Sequence, residues 1–185
     1  MKYDSNKHNR CSIRLVDYDY SEFGSYFVTI CTRNRACVLG EIYDGKVLLN
    51  KSGEIVAEAW LWLENHYRHV ELDQWLIMPN HLHGIILIGE KPCRGASRSA
   101  LIPGGSRTAP TLAPPKPLGR LIGSFKTVST KRINETLRTP GKAFWQRNYY
   151  EHVIRSERSL NAIRQYIEAN PFNWERDPDN PEVFR

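Results

Sequence analysis

Cysteine is sparse, methionine is sparser, and long apolar runs are missing. The four cysteines, Cys11, Cys31, Cys37 and Cys93, show no C-x-x-C spacing and no zinc-ribbon pattern. They read as free thiols of a reducing compartment. A run such as Ile85 to Ile88 falls far short of the roughly 20 apolar residues that a membrane helix needs. The first ten residues are polar and charged, without the apolar centre of a signal peptide. These absences predict a cytoplasmic protein with no membrane partner. An acidic excess is missing too: 26 Lys and Arg stand against 20 Asp and Glu, for a net charge of +6. A basic balance favours an anionic partner, of which nucleic acid is the commonest. With 185 residues, 41% of them hydrophobic, the chain suffices for one domain with a real core.

What is present centres on one stretch, Trp75 to Ile88, which includes His81-Leu82-His83. It reads as strand. Residues two apart on a strand share a face, so His81 and His83 project side by side, roughly 6.6 Å apart at Cα. Leu82, Gly84, Ile86 and Ile88 point the other way, into a core. Two imidazoles on one face can grip a metal ion or form a hydrogen-bonded structural pair. Buried polar groups need partners in either case.

The remaining chain parses into alternating elements. Residues 1–15 read as a flexible tail, and 16–174 as one domain. Tyr26 to Thr32 is β-branched and aromatic, hence a buried strand. Asp44-Gly45 marks a hairpin between Val38–Ile42 and Lys46–Leu49. Ser52 is placed to cap a helix reaching about Tyr67, with Ile55, Ala59, Trp62 and Leu63 on its apolar face. Pro79-Asn80 interrupts two strand-like runs. Residues 90–117, rich in Gly, Pro and Ser, read as a mobile insert with basic Arg94, Arg98 and Arg107. Leu118, Leu121, Ile122, Phe125 and Val128 recur at helical spacing, decorated by Arg120, Lys126, Lys131 and Arg132. Asn148 to Arg155 reads as strand. Ser156 opens a last helix that ends near Asn170, before Pro171. On that helix Tyr166 and Asn170, four apart, share a face. Leu160, Ile163 and Ile167 form the neighbouring apolar stripe. The tail, 175–185, is expected to pack loosely.

These blocks, in this order, resemble a family. Met78-Pro-Asn-His-Leu-His-Gly84 resembles the histidine strand of the HUH single-strand nucleases. Tyr26-Phe-Val-Thr-Ile-Cys-Thr32, Gly123-Ser-Phe-Lys126, Phe144 to Arg155 and Tyr166-Ile-Glu-Ala-Asn-Pro171 extend the likeness to the single-tyrosine, IS200-like transposases. Within these, the chain is most similar to the REP-associated tyrosine transposases. The resemblance implies that His81, His83 and Asn170 hold a metal ion, Mg²⁺ or Mn²⁺. It makes Tyr166, rather than Tyr149 or Tyr150, the nucleophile that forms a 5′-phosphotyrosine. It implies an α+β, ferredoxin-like fold, an antiparallel sheet of about five strands with helices packed on it. The partner would be single-stranded or hairpin DNA, and the protein a monomer or a homodimer. Lys126, Arg132, Trp145, Gln146, Arg147 and Arg155 are candidate DNA contacts, with Trp145 as an exposed stacking ring. A domesticated, non-catalytic module for hairpin DNA or RNA is the alternative. A histidine-based metal hydrolase of small phosphoesters is a third.

Overall fold

The computed structural model describes residues 23–89, 116–177, 179–181 and 183. The expected tail at 1–15 and nearly all of the 90–117 insert, with Cys11 and Cys93, lie outside the described residues. The chain runs β1 (Gly24–Cys31), β2 (Gly40–Tyr43), β3 (Lys46–Leu49), α1 (Lys51–His66), β4 (Val70–Ile77), β5 (His81–Ile88), α2 (Leu118–Leu137), β6 (Tyr150–Ile154) and α3 (Glu157–Ala169). Short 3₁₀ turns occupy Arg33–Arg35 and Pro171–Arg176.

The class is α+β, as expected, and the described sheet is antiparallel. It holds four strands, in the order β4-β5-β1-β6. The expectation was about five, and the β2–β3 hairpin pairs separately. Asp44 and Gly45 both take positive φ, 50° and 67°, as a two-residue hairpin turn requires.

Strand alternation divides the sheet into two unlike faces. Tyr26, Val28 and Ile30 of β1 and Leu82, Ile86 and Ile88 of β5 face a large core shared with α1 and α2. Phe27 and Ile85 face a small cluster with Ile154, Leu160 and Ile167, which seats α3. Gly84 lets Trp60 of α1 pack directly against β5, because a Cβ there would sit 2.4 Å from the indole.

Helix α1 differs from expectation in two details. Its cap is Asn50, whose Oδ1 accepts from the backbone N–H of Ser52 and Gly53 at 2.9 and 3.1 Å. Trp60, not Trp62, is the fully buried indole, stacked one turn beyond Val56. Helix α3 begins as read, with Ser156 accepting from Ser159 N–H. A bidentate ion pair ties it to the sheet. Arg164 Nε donates to both Asp73 oxygens, at 3.1 and 3.2 Å, where β4 bulges between Leu72 and Trp75. Among the described residues no helix is long and apolar enough to cross a membrane.

Candidate active site

His81 opens β5 straight after a tight turn, in which Met78 N–H donates to the His81 carbonyl at 2.8 Å. His83 follows on the same face. Both imidazoles are buried, and their Nε2 atoms converge to 2.9 Å. Each ring is held from behind. Asn80 Nδ2 donates to the carbonyls of Arg35 (3.1 Å) and Asp179 (2.7 Å), which fixes the amide. Its Oδ1 therefore faces His81 Nδ1, at 2.8 Å. An acceptor there demands a proton on Nδ1, so neutral His81 presents a bare lone pair at Nε2. Thr29, the register partner of His83 on β1, meets His83 Nδ1 with its hydroxyl at 2.9 Å. Burial pushes the His83 imidazole down to about 3, and it pulls His81 well below its ordinary value. Both rings are neutral near pH 7, the form that ligates a cation.

Two more buried polar groups join this neighbourhood, Asp177 beside the histidines and Asn170, which hydrogen-bonds Asp177 and Tyr166. Asp177, in the tail, brings a carboxylate oxygen within 4.8 Å of nitrogens on both rings. Asn170, at the end of α3, is 3% exposed, and its Oδ1 is buried with no hydrogen-bond partner. Two nitrogens, a carboxylate and an orphaned amide oxygen fit a divalent cation. The sequence reading missed Asp177. It expected the tail to pack loosely, yet Asp177 and Asn180 are buried, and Asn180 Nδ2 donates to the Trp174 carbonyl at 3.0 Å. Nothing local marks Asp177, because its partners lie almost a hundred residues away.

Tyr166 stands at the mouth of this group, 48% exposed, with its hydroxyl 3.5 Å from His83 Nε2. Burial and the Asp177 carboxylate push the phenol above its usual value, while a hydrogen bond from Asn170 works the other way. Phe27 meets the rings of both Tyr166 and Tyr150 edge-on and stacks on His83. A cleft of about 590 Å³ opens here, lined also by Tyr149, Gln146 and Arg35. Cys31 lines it too, but burial and Asp179 push its thiol up to about 11, so it stays protonated.

The six candidate DNA contacts fall in different places. Gln146 lines the cleft, and Arg147 and Arg155 are exposed. Lys126 is partly buried, donates to the carbonyls of Gln146 and Asn148 at 2.8 and 2.9 Å, and is lowered to about 8 by burial. Arg132 lies 3.7 Å from Glu58 of α1, on the layer behind the sheet. Trp145 is no exposed stacking ring. It is 7% exposed, packs on Phe125, and donates its indole N–H to Ser129 at 2.9 Å. An indole next to a small polar helix residue is satisfied inside rather than at the surface.

A family described as transposase IS200-like matches residues 111–170, a stretch that holds Tyr166 and Asn170 and stops short of the histidine strand. An uncharacterised protein of Haemophilus influenzae is 39% identical over 178 residues, covering 95% of this chain and 96% of that one. The chain belongs to the IS200-like transposase family. Its fold is similar to the solved structure of a REP-associated tyrosine transposase bound to a REP hairpin. The TM-score is 0.56 at 19% identity, over 88% of this chain and 73% of that one.

Proposed function

We propose that this IS200-like transposase is a divalent-metal-dependent endonuclease and strand transferase for single-stranded DNA, with Tyr166 as its nucleophile. One observation carries the reading. The Tyr166 hydroxyl, the paired Nε2 atoms of His81 and His83, the Asp177 carboxylate and Asn170, whose side chain hydrogen-bonds Tyr166 and Asp177, form one group, and its members Tyr166 and His83 line an open cleft. Tyr166 Oη attacks the scissile phosphorus, and the 3′ oxygen leaves with the electron pair of its bond. The 5′ end remains on the protein as a phosphotyrosine. The phenol proton passes to water in the cleft, and the departing oxygen takes up a proton to become a free 3′-OH. Attack by a 3′-OH on the phosphotyrosine reverses the step and joins strands.

The surrounding residues set this up. The resting phenol is protonated, since burial and Asp177 both raise it. Asn170 favours the phenolate by its hydrogen bond. His81 and His83 offer lone pairs to Mg²⁺ or Mn²⁺, while Asp177 and Asn170 supply oxygens. A hard cation suits a site that phosphate oxygens would complete. Such an ion supplies positive charge beside the scissile phosphate and the phenol when bound. Phe27, Tyr149 and Tyr150 give the cleft an aromatic wall suited to unpaired bases. The hairpin held by the structurally similar transposase supports a hairpin-bearing substrate here.

The test is a denaturing gel with labelled hairpin oligonucleotides, with Mg²⁺, Mn²⁺ or chelator. The expected result is a metal-dependent covalent adduct in the native chain and none in Tyr166→Phe. An adduct that persists in Tyr166→Phe removes this tyrosine from the mechanism. Metal-independent binding with no adduct on any hairpin assigns the chain to the non-catalytic binding modules.

A further inference from the structure

The two imidazoles are backed by partners of different kinds. Asn80 commits its amide protons to the carbonyls of Arg35 and Asp179, so its Oδ1 can only accept from His81 Nδ1. That contact locks His81 in one tautomer, with its proton on Nδ1 and a lone pair on Nε2. Behind His83 stands the Thr29 hydroxyl, 2.9 Å from Nδ1. A hydroxyl rotates, and it serves as donor or acceptor. Nothing in that contact ties the His83 proton to either nitrogen.

The front of the pair sets the other condition. The two Nε2 atoms lie 2.9 Å apart. Two facing lone pairs at that distance repel, so positive charge must lie between or beside them. Burial keeps both rings neutral near pH 7, so no second proton is added to either. With His81 locked, the proton between the rings comes from His83, held on Nε2 and donated to His81. His83 Nδ1 is then bare, and Thr29 donates to it. A divalent cation satisfies the same spacing. Neighbouring positions of an octahedral Mg²⁺, each about 2.0–2.1 Å from the ion, are about 3 Å apart. The cation needs a lone pair from each ring, so the His83 proton must then sit on Nδ1, with Thr29 accepting. Neither ring has to turn.

We propose that Thr29 is a positioning residue that lets His83 exchange tautomers, so that the site alternates between a closed His83-to-His81 hydrogen bond and an open, cation-binding pair. In the exchange, cleft water takes the proton from Nε2. The Thr29 hydroxyl passes its own proton to Nδ1 and takes a replacement from cleft water, since both residues line the cleft. One proton leaves, one arrives, and the ring stays neutral. Strand register puts the hydroxyl in place, with Thr29 of β1 opposite His83 on one side and Tyr150 on the other. A carboxylate or carbonyl oxygen there would lock His83 as Asn80 locks His81. The proposal rests on the reading of the histidines as metal ligands. It adds that His81 is preset for the cation, whereas His83 must first move a proton.

The test is long-range ¹H–¹⁵N NMR of the full chain labelled with ¹⁵N-histidine, which reads the protonated nitrogen of each neutral ring. In chelator, His81 should carry its proton on Nδ1 and His83 on Nε2. Saturating Mg²⁺, or Zn²⁺ as a second diamagnetic probe, should move the His83 proton to Nδ1 and leave His81 unchanged. Thr29→Val should weaken cation binding by about tenfold or more, as removal of a group behind a metal-bound histidine does. Thr29→Ser, which keeps the hydroxyl, should restore native affinity. A His83 proton already on Nδ1 in chelator overturns the proposal. So does native cation affinity in Thr29→Val, or an equal loss in Thr29→Val and Thr29→Ser. The native-chain spectra need no altered protein, so misfolding cannot imitate them. A metal-dependent tyrosine adduct with an unchanging His83 tautomer sinks the exchange alone. Histidine resonances that neither cation shifts sink the metal group, and the metal-dependent nuclease reading with it.

Discussion

The two faces of the central sheet are made by the same strands and do opposite work. Behind it, Tyr26, Val28, Ile30, Leu82 and Ile86 meet Trp60 and Phe125 in a dry layer that spans α1 and α2. In front, the alternate residues of β1 and β5 are Phe27, Thr29, His81, His83 and Ile85, and the cluster that holds α3 is far smaller. Apolar packing is concentrated behind, and the candidate site lies in front. The polar site is tolerated because each imidazole has a partner on its far nitrogen. Hydrophobic burial is non-directional, whereas the front face depends on specific atoms being in specific places.

Changes confined to one face should test this division. The largest effect is expected behind the sheet. Trp60→Ala empties a fully buried site and should cost about 3–5 kcal/mol of stability, read as the shift in urea midpoint. Adduct formation per folded molecule should stay near its native rate. A parallel loss of rate in the folded fraction would mean that the two faces are coupled.

An intermediate effect is expected from acid. His83 is held at about 3 by burial, below the value near 6.5 that it takes in an unfolded chain. Its folded pKa is depressed, so the unfolded state binds the extra proton between those values and stability falls as pH drops through that window. In chelator, moving from pH 7 to pH 5 should cost about 2 kcal/mol through His83. His83→Gln should flatten the loss while leaving the rear core intact. An unchanged pH profile in that variant would show that His83 is not buried neutral.

The smallest effect on stability is expected at the Arg164–Asp73 pair. Arg164→Ala should lower stability less than either change above, because solvent screens an ion pair at an exposed guanidinium. Because that pair fastens α3 to the β4 bulge, amide exchange in α3 should quicken and single-turnover cleavage should slow more than the stability loss explains. Equal exchange in both proteins would show that the apolar cluster alone holds the helix.

Much of this was legible in local pattern. The spacing of His81 and His83 on an apolar strand predicts both their shared face and the core on the other. The four-residue step from Tyr166 to Asn170, with the Leu160, Ile163 and Ile167 stripe beside it, places phenol and amide together on a docked helix. These are short-range periodicities, and they survive folding unchanged. Long-range choices were not legible. Asp177 reaches the histidines in a segment held by distant partners, with Asn80 donating to the Asp179 carbonyl and Arg35 pairing with the Asp179 carboxylate. Trp145 is inside because Ser129, sixteen residues earlier on α2, offers its hydroxyl. The cap of α1 passed from Ser52 to Asn50, two residues earlier, whose one oxygen accepts two bonds. No period within a single segment encodes such partnerships.

The alternation along β5 also bears on how such a gene can change. A substitution at one position alters one face and leaves the other alone, so the residues of the candidate site can drift while the scaffold persists. An added or deleted codon within β5 shifts every later side chain to the opposite face. Upstream of His83 it would carry that imidazole into the dry layer and a leucine-like neighbour into the site. Point variation is therefore the open route for divergence in this strand, and length variation is closed to it, leaving insertions to the connections between elements.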